Sequence, residues 1–207
     1  MHAVSIEKQV INEMPVVSFP GRIHIIDAIS QVKSAVKALR TVQCVGFDTE
    51  TRPTFHRGER HNVALLQLST YNDAFLFRVN KTGFPAPLKE FLEDSTITKI
   101  GLSTTDDFHQ LTRVCDFAPQ GFIELQQVVK QYDINDMGLQ KIYAILFHQK
   151  ISKGQQLSNW EAPQLTDAQQ RYAAIDAWAC LRIYDYLNEG NFIPQESPFW
   201  HEIPVEV

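Results

Sequence analysis

The sequence predicts a single α/β domain in which helices flank a mixed β-sheet. The chain has 207 residues, enough for one domain with a substantial core. Its hydrophobic fraction of 44% and charged fraction of 21% are those of an ordinary soluble globular protein. Strand patterns come first and helix patterns follow, with one mixed stretch between them. That order is typical of helices packed on a mixed sheet.

The strand patterns lie mainly in the first half of the chain. VVSFPGRIHIID indicates two short strands around the turn dipeptide Pro20-Gly21. CVGFDTE is a nearly continuous apolar strand, as found in the middle of a sheet. VALLQLST and AFLFRV predict a hairpin across Tyr71, Asn72 and Asp73, and ITKIGLS predicts a further strand.

Helix patterns dominate the second half and set the domain bounds. They cover residues 27–40, PLKEFLEDS, the stretch opened by Asp106 and Asp107, FIELQQVVKQY, GLQKIYAILFHQ and the last long run from Asp167. Thr166 and Gln169 form a capping-box pattern before that last helix. The tail after Gly190 has three prolines and little periodicity, so we expect irregular chain there. The predicted layout is an N-terminal extension (1–16), the domain (17–190) and a C-terminal tail (191–207).

Charge and composition narrow the classes of function. The formal charge of -5 argues against a protein that holds polyanions by long-range electrostatics alone. It leaves room for a nucleic-acid enzyme, because a bound metal ion supplies its own positive charge. Cys44, Cys115 and Cys180 form no CxxC pair, which predicts buried, reduced thiols. No signal peptide and no apolar run of the ~20 residues that span a membrane is visible, so we expect a cytoplasmic protein without a membrane partner.

Acidic residues in three distant segments predict a metal site. Asp48 and Glu50 alternate at the end of a strand and therefore face the same side of the sheet. Tyr172 and Asp176 are one helical turn apart and leave the same face of the last helix. An acidic pair, Asp106 and Asp107, opens a helix after a further strand. Hard divalent cations such as Mg²⁺ take oxygen ligands of this kind.

Together these segments resemble the 3′–5′ exonucleases of the DEDD superfamily, in the tyrosine-bearing branch that includes ribonuclease D and the Werner exonuclease domain. The D-x-E motif is present as FDTE, the second acidic motif as IGLSTTDDFHQL, and the Y-x-x-x-D motif as YAAID. The run LSNWEAPQLTDAQQ is also similar to the approach to the third motif in Werner-type members. The resemblance spans residues 17–188 and implies an RNase H-like fold.

The resemblance also implies a reaction and a set of roles. The enzyme would hydrolyse phosphodiester bonds at a free 3′ end and release nucleoside 5′-monophosphates, using two divalent cations, Mg²⁺ or Mn²⁺. Asp48 would bridge both ions, and Glu50 and Asp176 would complete the site that carries the attacking water. Asp107 would hold the second ion largely through water. Tyr172 would orient the attacking water, because a phenol with a pKa near 10 is a poor base at neutral pH.

Two choices remain open at the level of residues. Asp107, followed by Phe108 and with Leu111 four positions later, fits the family's second motif better than Asp106, which would then cap the helix. Substrate-binding candidates lie beside the motifs: Thr49, Arg57, Arg60, Phe108 and His109. The basic loop that carries Arg57 and Arg60 is equally consistent with a solvated surface, and Phe108 with a place in the core.

The substrate and the class of function also have alternatives. The Werner-like run favours DNA slightly over RNA, and the sequence does not indicate an oligomeric state. A catalytically silent nucleic-acid- or protein-binding module on the same fold is the main alternative, since fold does not fix function. The other is a hydrolase of small nucleotides or very short oligomers, which the lack of an obvious basic tract would suit.

Overall fold

The computed structural model describes residues 2–56 and 58–202. Its β-strands form a six-stranded sheet and a separate two-stranded sheet. The strands are β1 (His2–Val4), β2 (Arg22–Ile26), β3 (Cys44–Thr51), β4 (Val63–Ser69), β5 (Asp73–Phe77), β6 (Thr98–Gly101), β7 (Phe122–Glu124) and β8 (Trp200–Glu202). The helices are α1 (Lys8–Glu13), α2 (Ile29–Leu39), α3 (Val79–Thr82), α4 (Ala86–Leu92), α5 (Thr104–Leu111), α6 (Leu125–Lys130), α7 (Leu139–Phe147) and α8 (Asp167–Asn188).

The main sheet is mixed, as predicted, and β3 lies inside it. Its strand order is β2-β5-β4-β3-β6-β7. β3 pairs antiparallel with β4 and parallel with β6. The predicted hairpin is confirmed, because β4 and β5 pair antiparallel. The pairing of β3 with β4 shifts register between Glu50 and Thr51, and such irregularities often lie beside active sites.

Buried side chains cover both faces of this sheet. On one face, α2, α4 and the sheet enclose a cluster around Phe47, Phe77 and Phe91. On the other, α7 and α8 enclose a cluster around Tyr143 and Trp178. The capping box of Thr166 and Gln169 at the start of α8 is confirmed. Among the described helices, none is long and apolar enough to cross a membrane.

Residues 2–4 and 200–202 form a small sheet, contrary to the expectation of an irregular tail. β1 and β8 pair antiparallel, with Ala3 opposite His201, and residues 194–196 form a 3-10 turn. The tail prediction is therefore wrong for these residues. Pairing partners nearly two hundred positions apart leave no local periodicity in the sequence.

Two predictions of elements need correction as well. The first of the two strands expected around Pro20-Gly21 is absent, and Val16 makes only an isolated bridge to Lys150. The helix expected over FIELQQVVKQY is split, since Phe122–Glu124 form the edge strand β7 and the helix begins at Leu125. A short apolar run fits an edge strand and a helix equally well, and pairing with β6 decides here.

Candidate active site

The acids of β3 and α8 meet on one face of the sheet. Asp48 and Glu50 project from β3 towards α8, which carries Asp176 on the facing side. One carboxylate oxygen from each of these residues lies within 4.8 Å of the others. Asp176 is buried, with 6% of its surface exposed, and the other two acids are half-buried. The structure thus brings together three of the residues that the motifs predicted.

A glycine in β3 allows this approach. A Cβ atom on Gly46 would lie 1.7 Å from the carbonyl oxygen of Ala177, so any other residue would push α8 away from the strand. Gly46 shares its face of β3 with Asp48 and Glu50, because side chains alternate along a strand. The close contact therefore sets how near Asp176 comes to the acids of β3.

Asp107 reaches the same region from α5. It accepts a hydrogen bond from the hydroxyl of Thr49, the residue between the two acids of β3. It is not one of the three acids whose oxygens lie within 4.8 Å of one another, but its negative charge contributes to the raised pKa values of Asp48 and Glu50. Asp106, in contrast, is exposed to solvent.

Glu124 fixes the start of α5. Its carboxylate accepts hydrogen bonds from the backbone N–H groups of Ser103 (3.0 Å) and Thr104 (2.6 Å) and from the Thr104 hydroxyl (2.8 Å). Ser103 adopts a left-handed conformation with φ of 62°, so the chain turns sharply into the helix. These contacts orient the helix that carries Asp107.

The carboxylates oppose one another's ionisation. Burial, followed by the charges of Asp176 and Asp107, raises the pKa of Glu50 from 4.5 to about 9. Burial and the neighbouring acids also raise the pKa of Asp48 well above its ordinary value. Burial raises the pKa of Asp107 and of Asp176 to about 7, against hydrogen bonds from Thr49 and Tyr172 respectively. Like charges this close need an external cation to be ionised together.

The residues present fit divalent metal ions. Three oxygen donors converge within 4.8 Å, and Asp107 adds a further carboxylate beside them. In the part of the chain that the structure describes, no lysine, arginine or histidine forms an ion pair with these acids. Carboxylates are the ligands of Mg²⁺ and Mn²⁺, and those ions would supply the missing positive charge.

Tyr172 stands over the cluster, one turn before Asp176. Its ring packs against the fully buried Trp160 at a centroid distance of 5.9 Å, which holds the phenol in place. Burial, followed by the charges of Asp176 and Glu50, raises the pKa of Tyr172 above its ordinary value. The hydroxyl therefore stays protonated and acts as a hydrogen-bonding group.

The predicted substrate-binding residues are placed differently from one another. Thr49 donates to Asp107, and the exposed Arg60 lines a cleft of about 610 Å³ that also contains Glu50. His109 is exposed on α5. The ring of Phe108 packs edge-on against that of Phe122, with 4.8 Å between the ring centroids, so Phe108 is part of the packing between α5 and β7. Arg57 lies outside the described residues.

Sequence reasoning missed two residues that shape the site. Gly46 carried a signal, since a glycine inside a strand pattern indicates a close backbone approach. Glu124 carried none, because its partners lie 20 and 21 residues away at the start of α5 and β7 was mistaken for helix.

Comparison with known proteins agrees with the geometry. A family model described as 3'-5' exonuclease matches residues 23–190. The chain is 32% identical over 197 residues to the bifunctional 3'-5' exonuclease/ATP-dependent helicase WRN of Mus musculus. That match covers 88% of this chain and 14% of WRN, and the mut-7 homologue of Aedes aegypti is matched over 27% of its length. The chain therefore spans only a fraction of these relatives.

Solved structures share the fold. RNase D of Escherichia coli is 25% identical with a TM-score of 0.72, over 81% of this chain and 44% of that one. The Nibbler EXO domain of Aedes aegypti has a TM-score of 0.72 at 20% identity, over 95% of this chain and 97% of that one. The expected fold of the RNase H-like class, a mixed sheet flanked by helices, is confirmed.

Proposed function

The chain belongs to the 3′–5′ exonuclease family, and we propose that it removes nucleoside 5′-monophosphates from the free 3′ end of a nucleic acid in a metal-dependent reaction. One observation carries the proposal. The carboxylates of Asp48, Glu50 and Asp176 converge within 4.8 Å although burial raises the pKa of all three and repulsion raises it further for Asp48 and Glu50. A cluster that opposes its own ionisation is suited to holding cations.

Two ions, Mg²⁺ or Mn²⁺, are proposed as cofactors. When bound, a pair of such ions activates water and neutralises charge on the attacking and leaving oxygens of a phosphodiester. Asp48 would contribute to both ions, Glu50 and Asp176 to one, and Asp107 to the other. Thr49 holds the Asp107 carboxylate by a hydrogen bond and so sets its orientation.

Tyr172 is proposed to position the attacking water. Its raised pKa keeps the proton on the hydroxyl at neutral pH, so it cannot serve as a general base. Packing on Trp160 limits the rotation of the ring, which fixes the direction of the hydroxyl. A hydrogen bond from a fixed group lowers the entropic part of the barrier.

DNA is the proposed substrate, with RNA as the alternative. The similarity of residues 157–170 to Werner-type members supports DNA. RNA is kept as the alternative because one solved relative is an RNase D of Trypanosoma brucei in complex with RNA. The test therefore uses both DNA and RNA.

The test uses the purified full chain with 3′- or 5′-labelled oligonucleotides of DNA and RNA, in Mg²⁺, Mn²⁺ or EDTA. We expect metal-dependent shortening from the 3′ end, with mononucleotide products. Asp176→Ala should abolish it, whereas Asp106→Ala, which alters an exposed acid, should retain it. Absence of cleavage of either strand with either metal would reject the enzyme in favour of a silent binding module. Cleavage restricted to dinucleotides would favour a hydrolase of short oligomers.

A further inference from the structure

A further cleft adjoins the carboxylates. A cleft of about 280 Å³ opens beside Tyr172 and Asp176, and its other walls carry Lys8, Lys141 and Lys153. These lysines come from α1, α7 and the loop between α7 and α8. Lys8 lies outside residues 23–190, the stretch that the family model matches.

Two of these lysines have no ion-pair partner among the described residues. Lys141 pairs with Asp136 at 2.6 Å. Among the ion pairs of residues 2–56 and 58–202, none involves Lys8 or Lys153. Both side chains are exposed. The cleft thus presents two available cations next to a cluster of acids.

The cleft continues away from the acids. A neighbouring cleft of about 600 Å³ shares Lys8 and Lys141 with the first and ends at the terminal sheet, where Trp200 and His201 line it. Two acids, Glu7 and Asp136, also line it. The two together form an elongated depression that runs from Asp176 to β8. An extended chain fits such a shape better than a mononucleotide does, and basic and aromatic side chains are the groups that contact single strands.

The N-terminal segment is a fixed wall of this depression. Ile11 of α1 is buried with 2% of its surface exposed. The backbone N–H of Ile6 donates to Asp136 (2.9 Å), the residue that also binds Lys141. Val4 is paired with Trp200 of β8 on one side and bridged to Ile134 on the other. Lys8 is therefore presented by a segment that packs into the fold.

The cleft that contains Glu50 carries both paired and unpaired cations. There Arg52 and His61 both face Glu161, at 3.4 and 3.5 Å. Arg60 is exposed beside them. Arg113 also lines that cleft and is exposed, and neither Arg113 nor Arg60 is in the ion pairs of the described residues. Both clefts therefore offer cations to phosphates, and the cleft with Lys8 and Lys153 is the one that continues to the terminal sheet.

We propose that Lys8 and Lys153 bind internucleotide phosphates of the substrate strand, on the 5′ side of the nucleotide that is removed, so that the N-terminal segment is part of the substrate-binding surface. The proposal rests on the exonuclease function proposed above. A strand that approaches four carboxylates on a chain of net charge -5 needs positive charge along its path. The lysines supply it where the depression leads away from the site.

The test compares Lys8→Ala with Lys33→Ala, an exposed lysine on α2 that lines neither cleft. For a 20-mer, Lys8→Ala should raise KM about five-fold with kcat unchanged, and flatten the dependence of log K on log salt by about 0.7. Cleavage of a dinucleotide, which lacks the upstream phosphates, should be unchanged. Lys8→Arg should restore the 20-mer, and Lys33→Ala should match the wild type. DNA and RNA 20-mers are run in parallel.

A binding measurement separates this proposal from the proposed function. The anisotropy of a fluorescein-labelled 20-mer is titrated with each protein in EDTA, where no turnover occurs. If the wild type binds the 20-mer but never cleaves it, and Lys8→Ala binds it more weakly, the proposed binding surface is supported and the exonuclease function is rejected. Equal KM and equal anisotropy for Lys8→Ala and Lys33→Ala, in an active enzyme, would overturn the surface alone. A wild type that neither binds nor cleaves would overturn both.

Discussion

The protein buries charge in two regions and handles it in opposite ways. In the first, the carboxylates of Asp48, Glu50 and Asp176 face one another between β3 and α8. In the second, on the far side of the sheet, the fully buried ammonium of Lys99 donates to the carbonyl oxygen of Asp94 at 2.6 Å. The Lys99 ammonium also lies over the ring of Phe122, 5.0 Å from its centroid.

Arg78 is buried in the same manner as Lys99. It is 1% exposed, and its guanidinium donates to the carbonyl oxygen of Ala162. That bond holds the loop that leads to α8, and Lys81 holds the next carbonyl, that of Pro163, at 2.7 Å. Burial lowers the pKa of Arg78 from its ordinary value, and the hydrogen bond compensates for part of the lost hydration.

The difference separates structural charge from functional charge. Each buried cation has a backbone acceptor, so its burial ties two segments together. The acids face one another instead, and burial raises the pKa of all three while repulsion adds to it for Asp48 and Glu50. A cluster of residues that destabilises the fold in the absence of a ligand is expected at a functional site, because ligand binding then compensates for the lost stability. Four predictions test this contrast, from the largest expected effect to the smallest.

Asp48→Asn should reduce kcat at least about 10³-fold, on the scale of losing a group that acts directly in the transition state. The same change should raise the free energy of unfolding in EDTA by about 1–2 kcal/mol, because a buried amide neither repels the neighbouring carboxylates nor has to take up a proton. Single-turnover cleavage and urea denaturation measure the two effects. If Asp48→Asn is inactive and also less stable in EDTA, the Asp48 carboxylate has a structural role, and the contrast between functional acids and structural cations fails.

Lys99→Ala should lower stability and leave activity unchanged, the reverse of Asp48→Asn. Loss of the buried stem leaves a cavity and an unpaired carbonyl, and should lower the free energy of unfolding by about 3 kcal/mol. Lys99→Met, which keeps the volume, should cost about 1 kcal/mol. Activity per folded molecule should be unchanged in both. A large loss of activity in Lys99→Met would show that the two regions are coupled.

The sequence predicted one region far better than the other. Asp48, Glu50, Tyr172 and Asp176 are recognisable because alternation on a strand and the four-residue turn of a helix are local rules. Lys99 gave no signal of burial, because it lies in a strand of four residues whose covering rings come from Phe91 and Phe122. Burial of a cation depends on contacts between segments that local periodicity does not contain.

The same limit applies to the chain ends and to the edge strand. β1 and β8 pair across the length of the chain, and β7 owes its conformation to its neighbour β6. The depression that holds Lys8 depends on the first of these pairings, so it was not predictable from motifs. The choice between Asp106 and Asp107 is different, because the sequence indicates both positions, and burial and the hydrogen bond from Thr49 separate them in the structure.

Asp107→Asn tests the choice of Asp107 over Asp106. Asp107 combines features of both regions. Asp107 is a half-buried acid near the cluster, yet it also has a donor within the protein, Thr49. We expect kcat to fall about 10²-fold, less than for Asp48→Asn, because Thr49 can still hold the amide in place. Asp106→Asn should stay within about two-fold, as for most exposed positions. Steady-state cleavage of a labelled 20-mer measures both, and the opposite ranking would assign the second motif to Asp106.

The pH dependence of stability without metal should give the smallest effect. The folded-state pKa of Glu50, about 9, and that of Asp176, about 7, lie above the unfolded values of 4.5 and 3.8. Between pH 4 and 9 the folded protein therefore binds more protons than the unfolded chain. Its free energy of unfolding should therefore fall as pH rises through that window. This fall should be about 1–2 kcal/mol larger in the wild type than in Asp48→Asn.

Manganese should remove this fall. Metal ions bind the ionised carboxylates of the folded state, so the stabilisation by Mn²⁺ should be larger at pH 8 than at pH 5.5. Urea denaturation in EDTA and in Mn²⁺ at both pH values provides the comparison, and Lys99→Met, altered in the other region, serves as the matched control with an unchanged response to metal. If metal-free stability instead rose with pH, or if Mn²⁺ stabilised Asp48→Asn as much as the wild type, the acids would not be held in mutual repulsion. The distinction between the two buried regions would then rest on activity alone.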